Sequence, residues 1–255
     1  MIKKIATYLI MIMTSTISFA QERQIAITID DLPFVGFCNN NPAKLQRVNE
    51  RFNRILQTLV DNKIPATGFV IAGSIEKGQW QLLEQFKDAG FALGNHTYSH
   101  QNLDRLTAEK YIDDVDRADK ILTPLFAERK YFRYPYLAES HGKKRQAVYD
   151  YLATHHYIIA PVTIDTKDFL FNQQLFAIPY RMRDKNLPHL KQRYLSYITR
   201  QAARAEQQAA QNPGMPVKEI LLLHANLLNS HFLGDVIELF RQRGYRFISL
   251  EDALR

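Results

Sequence analysis

Apolar positions in this chain alternate between two spacings. Over residues 24–29, 66–72, 91–94, 131–133, 157–164, 219–224 and 246–249 they run nearly unbroken and favour β-branched side chains, as strands do. Over residues 43–62, 79–89, 107–122, 143–155, 187–211 and 234–243 they recur every three to four positions, the spacing that turns one face of a helix toward a core. Thr107 stands where an N-cap is wanted, with Glu109 in the first turn; Asn212-Pro213-Gly214 stops the long polar helix, and Gly244 supplies a turn. Seven strands with helices between most of them predict an α/β fold, a parallel sheet covered by helices.

No linker or low-complexity stretch interrupts this alternation, so a single barrel-like domain is expected from residue 21 to residue 255. With 46% apolar and 23% charged residues in a chain of 255, disorder, collagen and coiled coil are excluded. Residues 1–20 depart from the rest. Lys3 and Lys4 precede a short apolar run, Thr14, Ser15 and Thr16 break it, and Ser18-Phe19-Ala20 precedes Gln21. The run is too short to span a bilayer, and the pattern predicts a cleaved signal peptide, hence a periplasmic or secreted domain with no membrane span after cleavage.

Cleavage would lower the formal charge from +7 to +5, because it removes two lysines and no acid. A positive balance suits work near anionic envelope polymers. The basic residues are scattered, as in the stretches 47–54 and 143–145, and are read as a solvated surface. No basic stripe interleaves with aromatics, so nucleic acid is not an expected partner. Cys38 is the single cysteine, which rules out an internal disulfide and is read as a quiet loop thiol. Nothing in the sequence sets an oligomeric state.

In barrels of this kind the chemistry gathers where strands end. The first strand ends in Asp30-Asp31; others run into His96-Thr97-Tyr98-Ser99-His100, Arg133-Tyr134-Pro135-Tyr136, Asp165-Thr166-Lys167-Asp168 and His224-Ala225-Asn226. His96 and His100, four positions apart, can converge on one ion from one side of a helical turn, and a carboxylate from another strand would complete two histidines and one carboxylate. Three protein ligands leave a place for water, the catalytic kind of site. Asp30 and Asp31 point in opposite directions while the strand is regular; a bend would let one ligate and the other face the water as a general base.

These residues resemble, in order and spacing, the signatures of the polysaccharide deacetylases, the NodB-homology domains of carbohydrate esterase family four. Thr28-Ile29-Asp30-Asp31 resembles TFDD, His96 to His100 resembles H(S/T)xxH, Arg133 to Tyr136 resembles RxPY, and Leu222-Leu223-His224 resembles LxH. The resemblance implies a distorted (β/α)7 barrel and an enzyme: a hydrolase of carbon–nitrogen bonds other than peptide bonds. It implies Asp31, His96 and His100 as ligands of one divalent metal, usually zinc, with cobalt and nickel as alternatives. It implies Asp30 as catalytic base, Arg133 as the residue orienting that base, the backbone N–H of Tyr136 as oxyanion donor, and His224 as general acid. Asp168 resembles the DxxDW carboxylate that supports the acid, with Phe169 in place of the tryptophan. The implied substrate is an N-acetylated, or O-acetylated, glycan or oligosaccharide.

Residues 170–218 match no family pattern; Phe171, Phe176, Tyr180, Tyr194 and Tyr197 there either pack a long helix, the reading preferred, or rim a substrate site. Two rivals are weighed. One is an amidohydrolase acting on a cyclic amide or ureide; the other is a catalytically idle glycan-binding barrel, against which the presence of both base and acid argues.

Overall fold

A computed structural model describes residues 22–36, 38–211 and 217–255. The signal peptide expected over residues 1–20 and the helix stop expected at 212–214 lie outside them. The central strand β1, Arg23–Leu32, pairs in parallel with β2 (Ala66–Val70) on one side and β7 (Val217–His224) on the other. The sheet continues through β3 (Ala92–Asn95) and β4 (Lys130–Phe132) to β5 (Tyr157–Ile159) at one edge, and reaches β6 (Ile164–Asp165) at the other. β8, Tyr245–Phe247, pairs with the first residues of β1. Every pairing is parallel, and the sheet curls into the expected seven-strand path, a half-barrel wrapped by helices.

Sequence reading placed one strand at 157–164; the structure makes it two, on opposite edges. Pro161 is the physical reason, since it has no N–H to donate to a ladder. Ala160 donates to Phe132 O on one edge and Thr163 to Ile220 O on the other, at 2.8 and 3.1 Å. The chain thus steps across the gap in the barrel within a few residues.

Helices α1 (Pro42–Asp61), α2 (Trp80–Asp88), α3 (Ala108–Leu122) and α4 (Gly142–Thr154) fall within a residue of their predicted limits. In α1 the buried Val48, Phe52, Ile55 and Leu59 form the apolar stripe, Asn41 caps Lys44 N, and Pro42 takes the first turn. Four helices differ. A helix that the pattern did not show, α5, covers Asp168–Ala177. The next, α6, spans Arg183–Ala209, starting before the expected residue 187 and carrying Pro188 inside it. α7, Leu227–Gln242, starts well ahead of the expected residue 234. A final short helix, α8, covers Leu250–Ala253. Among the described residues no helix is long and apolar enough to cross a membrane.

The main core lies between the sheet and helices α1, α2, α6 and α7. Phe69, Tyr131, Ala160, Ile220 and Leu250 fill a smaller cluster. Of the five aromatics weighed at 170–218, Phe171 and Tyr194 are buried and Tyr197 packs against them, whereas Phe176 and Tyr180 stand exposed. Packing accounts for three of them, as expected; the other two do not pack.

Candidate active site

Every side chain predicted for the site lies at the carboxyl end of a strand, on one face of the barrel. The strand does bend at the aspartate pair. Asp31 adopts φ 63°, and the register of β1 against β2 shifts between Ile29 and Leu32. The irregularity turns both carboxylates toward His96 instead of sending them to opposite faces. Asp30 Oδ2 lies 3.7 Å, and Asp31 Oδ1 3.6 Å, from His96 Nε2.

His96 and His100 do not sit on a helical turn, as their spacing suggested. Residues 96–100 form an irregular loop in which Thr97 and His100 hold φ of 65° and 54°. Side-chain oxygens satisfy its backbone: Asn95 Oδ1 accepts from Thr97 N, Thr97 Oγ1 from His100 N, and Asp114 Oδ2 from Ser99 N, at 2.7 to 3.0 Å. Left-handed backbone at non-glycine residues costs on the order of 1–3 kcal/mol each, and it recurs here at Asp31, Thr97, His100, Tyr136 and Lys167. The surrounding contacts hold these residues in place, which is what a preorganised site requires.

Asp31, His96 and His100 present three donor atoms within 4.8 Å of one another. Donors about 2.0–2.1 Å from a tetrahedral ion stand roughly 3.3–3.4 Å apart, and Asp31 Oδ1 lies 3.3 Å from His100 Nε2. His96 Nδ1 donates to Arg133 O at 2.7 Å, which turns the Nε2 lone pair toward the carboxylates. Burial lowers the His96 pKa to about 3, and burial with the neighbouring His96 lowers that of His100 to about 4, so both imidazoles are neutral at pH 7. Asp30 Oδ1 and Asp31 Oδ1 are buried without a hydrogen-bond donor among the described residues. Two neutral imidazoles and an unsatisfied carboxylate oxygen fit one divalent cation.

Asp30 is buried, and loss of solvation raises its pKa against the opposing pull of Arg133, His224 and His100. Arg133, also buried, reaches Asp30 Oδ2 with Nη1 at 3.5 Å, donates through Nη2 to Thr28 Oγ1 and Pro161 O, and lies over the Phe69 ring. Tyr136 stands exposed at φ 59° with its ring 4.7 Å from that of His100, and its N–H makes no hydrogen bond among the described residues.

His224 ends β7, where Asp30 of β1 is its register partner. Its Nδ1 lies 2.6 Å from Asp168 Oδ1, and its backbone N–H donates to Asp168 Oδ2 at 2.7 Å. Burial disfavours the imidazolium, but the Asp168 carboxylate outweighs it and raises the pKa of His224 to about 10.

Asn229, which sequence reasoning did not name, completes the Asp168 cage with Asn226 and Tyr194, named there only in a strand-end run and among the packing aromatics. Asn226 Nδ2 donates to Asp168 Oδ2 at 3.0 Å; Asn229 Nδ2 donates both to that oxygen and to His224 O. Tyr194 Oη donates to Asn229 Oδ1 at 3.1 Å and fixes its amide. One signal was available: Asn226 and Asn229 follow His224 directly, at the spacing of a helix cap, and Asn226 does cap α7.

Residues 19–153 match the family described as polysaccharide deacetylase, and the chain belongs to that family of carbon–nitrogen hydrolases. A stretch of 147 residues is 25% identical to a peptidoglycan-N-acetylglucosamine deacetylase of Bacillus cereus, covering 57% of this chain and 46% of that protein. The chain thus spans about half the length of that relative. In structure it is similar to the chitin deacetylase of the fungal pathogen Colletotrichum lindemuthianum, with a TM-score of 0.62 and 21% identity over 91% of this chain and 89% of that one. It is also similar to a CE4 family pseudoenzyme from Bacillus anthracis, with a TM-score of 0.64 and 17% identity over 92% of this chain and 66% of the other. The family match ends before Asp168 and His224; the fold brings these two beside the motifs it includes.

Proposed function

We propose that this chain is an exported, metal-dependent deacetylase that hydrolyses N-acetyl, or alternatively O-acetyl, groups on a glycan. One observation carries the reading: a carboxylate at Asp30 and an imidazole at His224, paired across adjacent strands, flank the donor set of Asp31, His96 and His100. Those three residues would hold one divalent ion, with zinc the first choice for two imidazoles and a carboxylate and cobalt or nickel as alternatives. When bound, the ion supplies Lewis acidity to the acetyl carbonyl and to a water.

The chain's own groups do the rest. Asp30 takes the proton of the attacking water while Arg133 fixes its orientation. The free N–H of Tyr136 donates to the oxyanion as charge develops there. His224, whose Nδ1 is engaged by Asp168, gives a proton from Nε2 to the leaving nitrogen. No serine or cysteine nucleophile is required. An idle barrel is disfavoured because base, acid and ligand donors all stand together. The signal-like residues 1–20 support export, and the names of the relatives support an envelope or environmental glycan.

The test is acetate release from a panel of acetylated glycans, with chelator and with metal restored. Release that chelator abolishes and zinc restores is expected. An absence of release on every glycan, with metal present, would overturn the reading.

A further inference from the structure

Beside the Asp168 cage lies a cavity of about 340 Å³ whose floor includes Phe34, Cys38 and Leu227. Asn226 and Asn172 line it, and Asn226 is the residue that donates to Asp168. The loops that build it follow the carboxyl ends of β1 and β7, so it opens on the same face as the candidate active site.

One wall is basic. Lys44, Arg47 and Arg51 line the cavity from α1, and Arg54 continues the row. Their spacing of three and four residues puts them on one side of the helix. Arg183, at the start of α6, lies near enough to disfavour the charge of Arg51, as do Arg47 and Arg54; burial is the largest cause of that shift. Among the described residues none of these five side chains is in an ion pair. Like charges at such spacing destabilise a helix by about 0.2–0.5 kcal/mol per pair. The first turn of α1 holds no acid, so Lys44 adds to the positive end of the helix dipole instead of countering it. The loop that carries Cys38 into the cavity is fixed from behind: the Glu76 carboxylate accepts the backbone N–H groups of Cys38, Asn39 and Asn40. Read from sequence, the basic stretch 47–54 was part of a scattered, solvated surface; the fold brings Lys44, Arg47 and Arg51 to one cavity, with Arg54 and Arg183 close by.

We infer that this cavity is a subsite for an anionic substituent, a carboxylate or phosphate ester, on the glycan whose acetyl group occupies the active site. The inference rests on the deacetylase reading and names a substrate class within it: acidic glycans over neutral ones. Arg47 and Arg51 supply the charge, and the apolar floor takes the face of the sugar that bears it.

The experiment compares three tetrasaccharides: tetra-N-acetylchitotetraose; the alternating N-acetylglucosamine and N-acetylmuramic acid tetraose, which carries lactyl carboxylates; and a tetra-N-acetylchitotetraose 6-phosphate. Binding is measured by calorimetry on the metal-loaded Asp30→Asn protein, and kcat/KM on the metal-loaded wild type. At least one acidic tetraose is expected to bind about tenfold more tightly than the neutral one, with a preference that falls as salt rises. The carboxylate and phosphate arms show which anion the cavity takes. Arg47→Glu, at an exposed position, should abolish that preference in binding, and in kcat/KM through KM rather than kcat. Equal affinity for all three tetraoses, or a preference that survives Arg47→Glu, overturns the subsite. Acid-selective binding without acetate release from any tetraose would instead count against the deacetylase reading and leave the subsite standing.

Discussion

Asp30 and His224 are register partners in the adjacent parallel strands β1 and β7. Register partners leave a sheet on the same face, with their backbones about 4.7–4.9 Å apart. The proposed base and acid therefore stand side by side on neighbouring strands, each with its own supporting residue: Arg133 for Asp30 and Asp168 for His224. The two groups feel each other's charge, but their supporting residues differ, so each role can be removed without removing the other.

The aspartate pair is the first place to separate roles. Asp31→Asn should lose metal affinity and activity together, and His100→Ala should lower metal content sharply, since it removes one of three donors. Asp30→Asn should keep its metal yet lose about 10²- to 10⁴-fold in turnover, the usual contribution of a general base. Elemental analysis beside kinetics checks this; equal metal loss in the Asp30 and Asp31 variants would reverse the assignment.

The pH profile tests Asp168. His224 must be protonated to act as an acid, and the Asp168 carboxylate raises its pKa to about 10 despite burial. In wild type the acid form thus persists through neutral pH, and the alkaline limb of activity lies where pH rises through that value. Asp168→Asn removes the raising charge, so the alkaline limb of kcat/KM should move to lower pH. An unmoved limb would mean that another group sets it.

Asn229 is buried and divides its amide between Asp168 and His224 O. Asn229→Ala strips one donor from each acceptor, which should cost about 1–3 kcal/mol of stability, and it should lower kcat more than it raises KM. Tyr194→Phe removes only the Oη donor to Asn229 and should cost about 0.5–1.5 kcal/mol. Urea unfolding and steady-state kinetics on both variants check the order.

Gly94 tests the barrel itself. A Cβ there would lie 2.8 Å from two carbons of the Phe69 ring and 2.8 Å from Tyr131 O. The backbone oxygen has no freedom to move aside, so Gly94→Ala should destabilise by about 1–3 kcal/mol through overpacking. A melting temperature equal to wild type would contradict the packing described between β2, β3 and β4.

The sequence made the regular elements legible where burial follows period. The apolar stripe of α1 and the unbroken run of β1 are read directly, and both lie where expected. The element nearest the chemistry was hidden. α5 buries Asp168 and Asn172 along with Phe171 and Leu175, and exposes Phe169, Leu170 and Phe176. Polar residues inside and apolar residues outside cancel the amphipathic signal, because the buried face serves His224 and the α7 N-terminus as well as the core. The start of α7 was missed for the same reason, with Asn229 and Ser230 on its buried side. At the metal donors, residue identity was legible from motif order, but the loop backbone at Thr97 and His100 was not, since side-chain hydrogen bonds set it and periodicity does not report them.

The most direct measurement of the account is the substrate dependence of His224→Ala, made together with its metal content. A general acid matters most when the leaving group is poor, so the amide should suffer and an activated aryl ester should be nearly spared. The account predicts that His224→Ala retains its metal, loses about 10²- to 10⁴-fold on an N-acetylated sugar, and loses clearly less on an activated aryl acetate. Equal losses on amide and ester, or loss of the metal, would contradict it and remove His224 from the acid role.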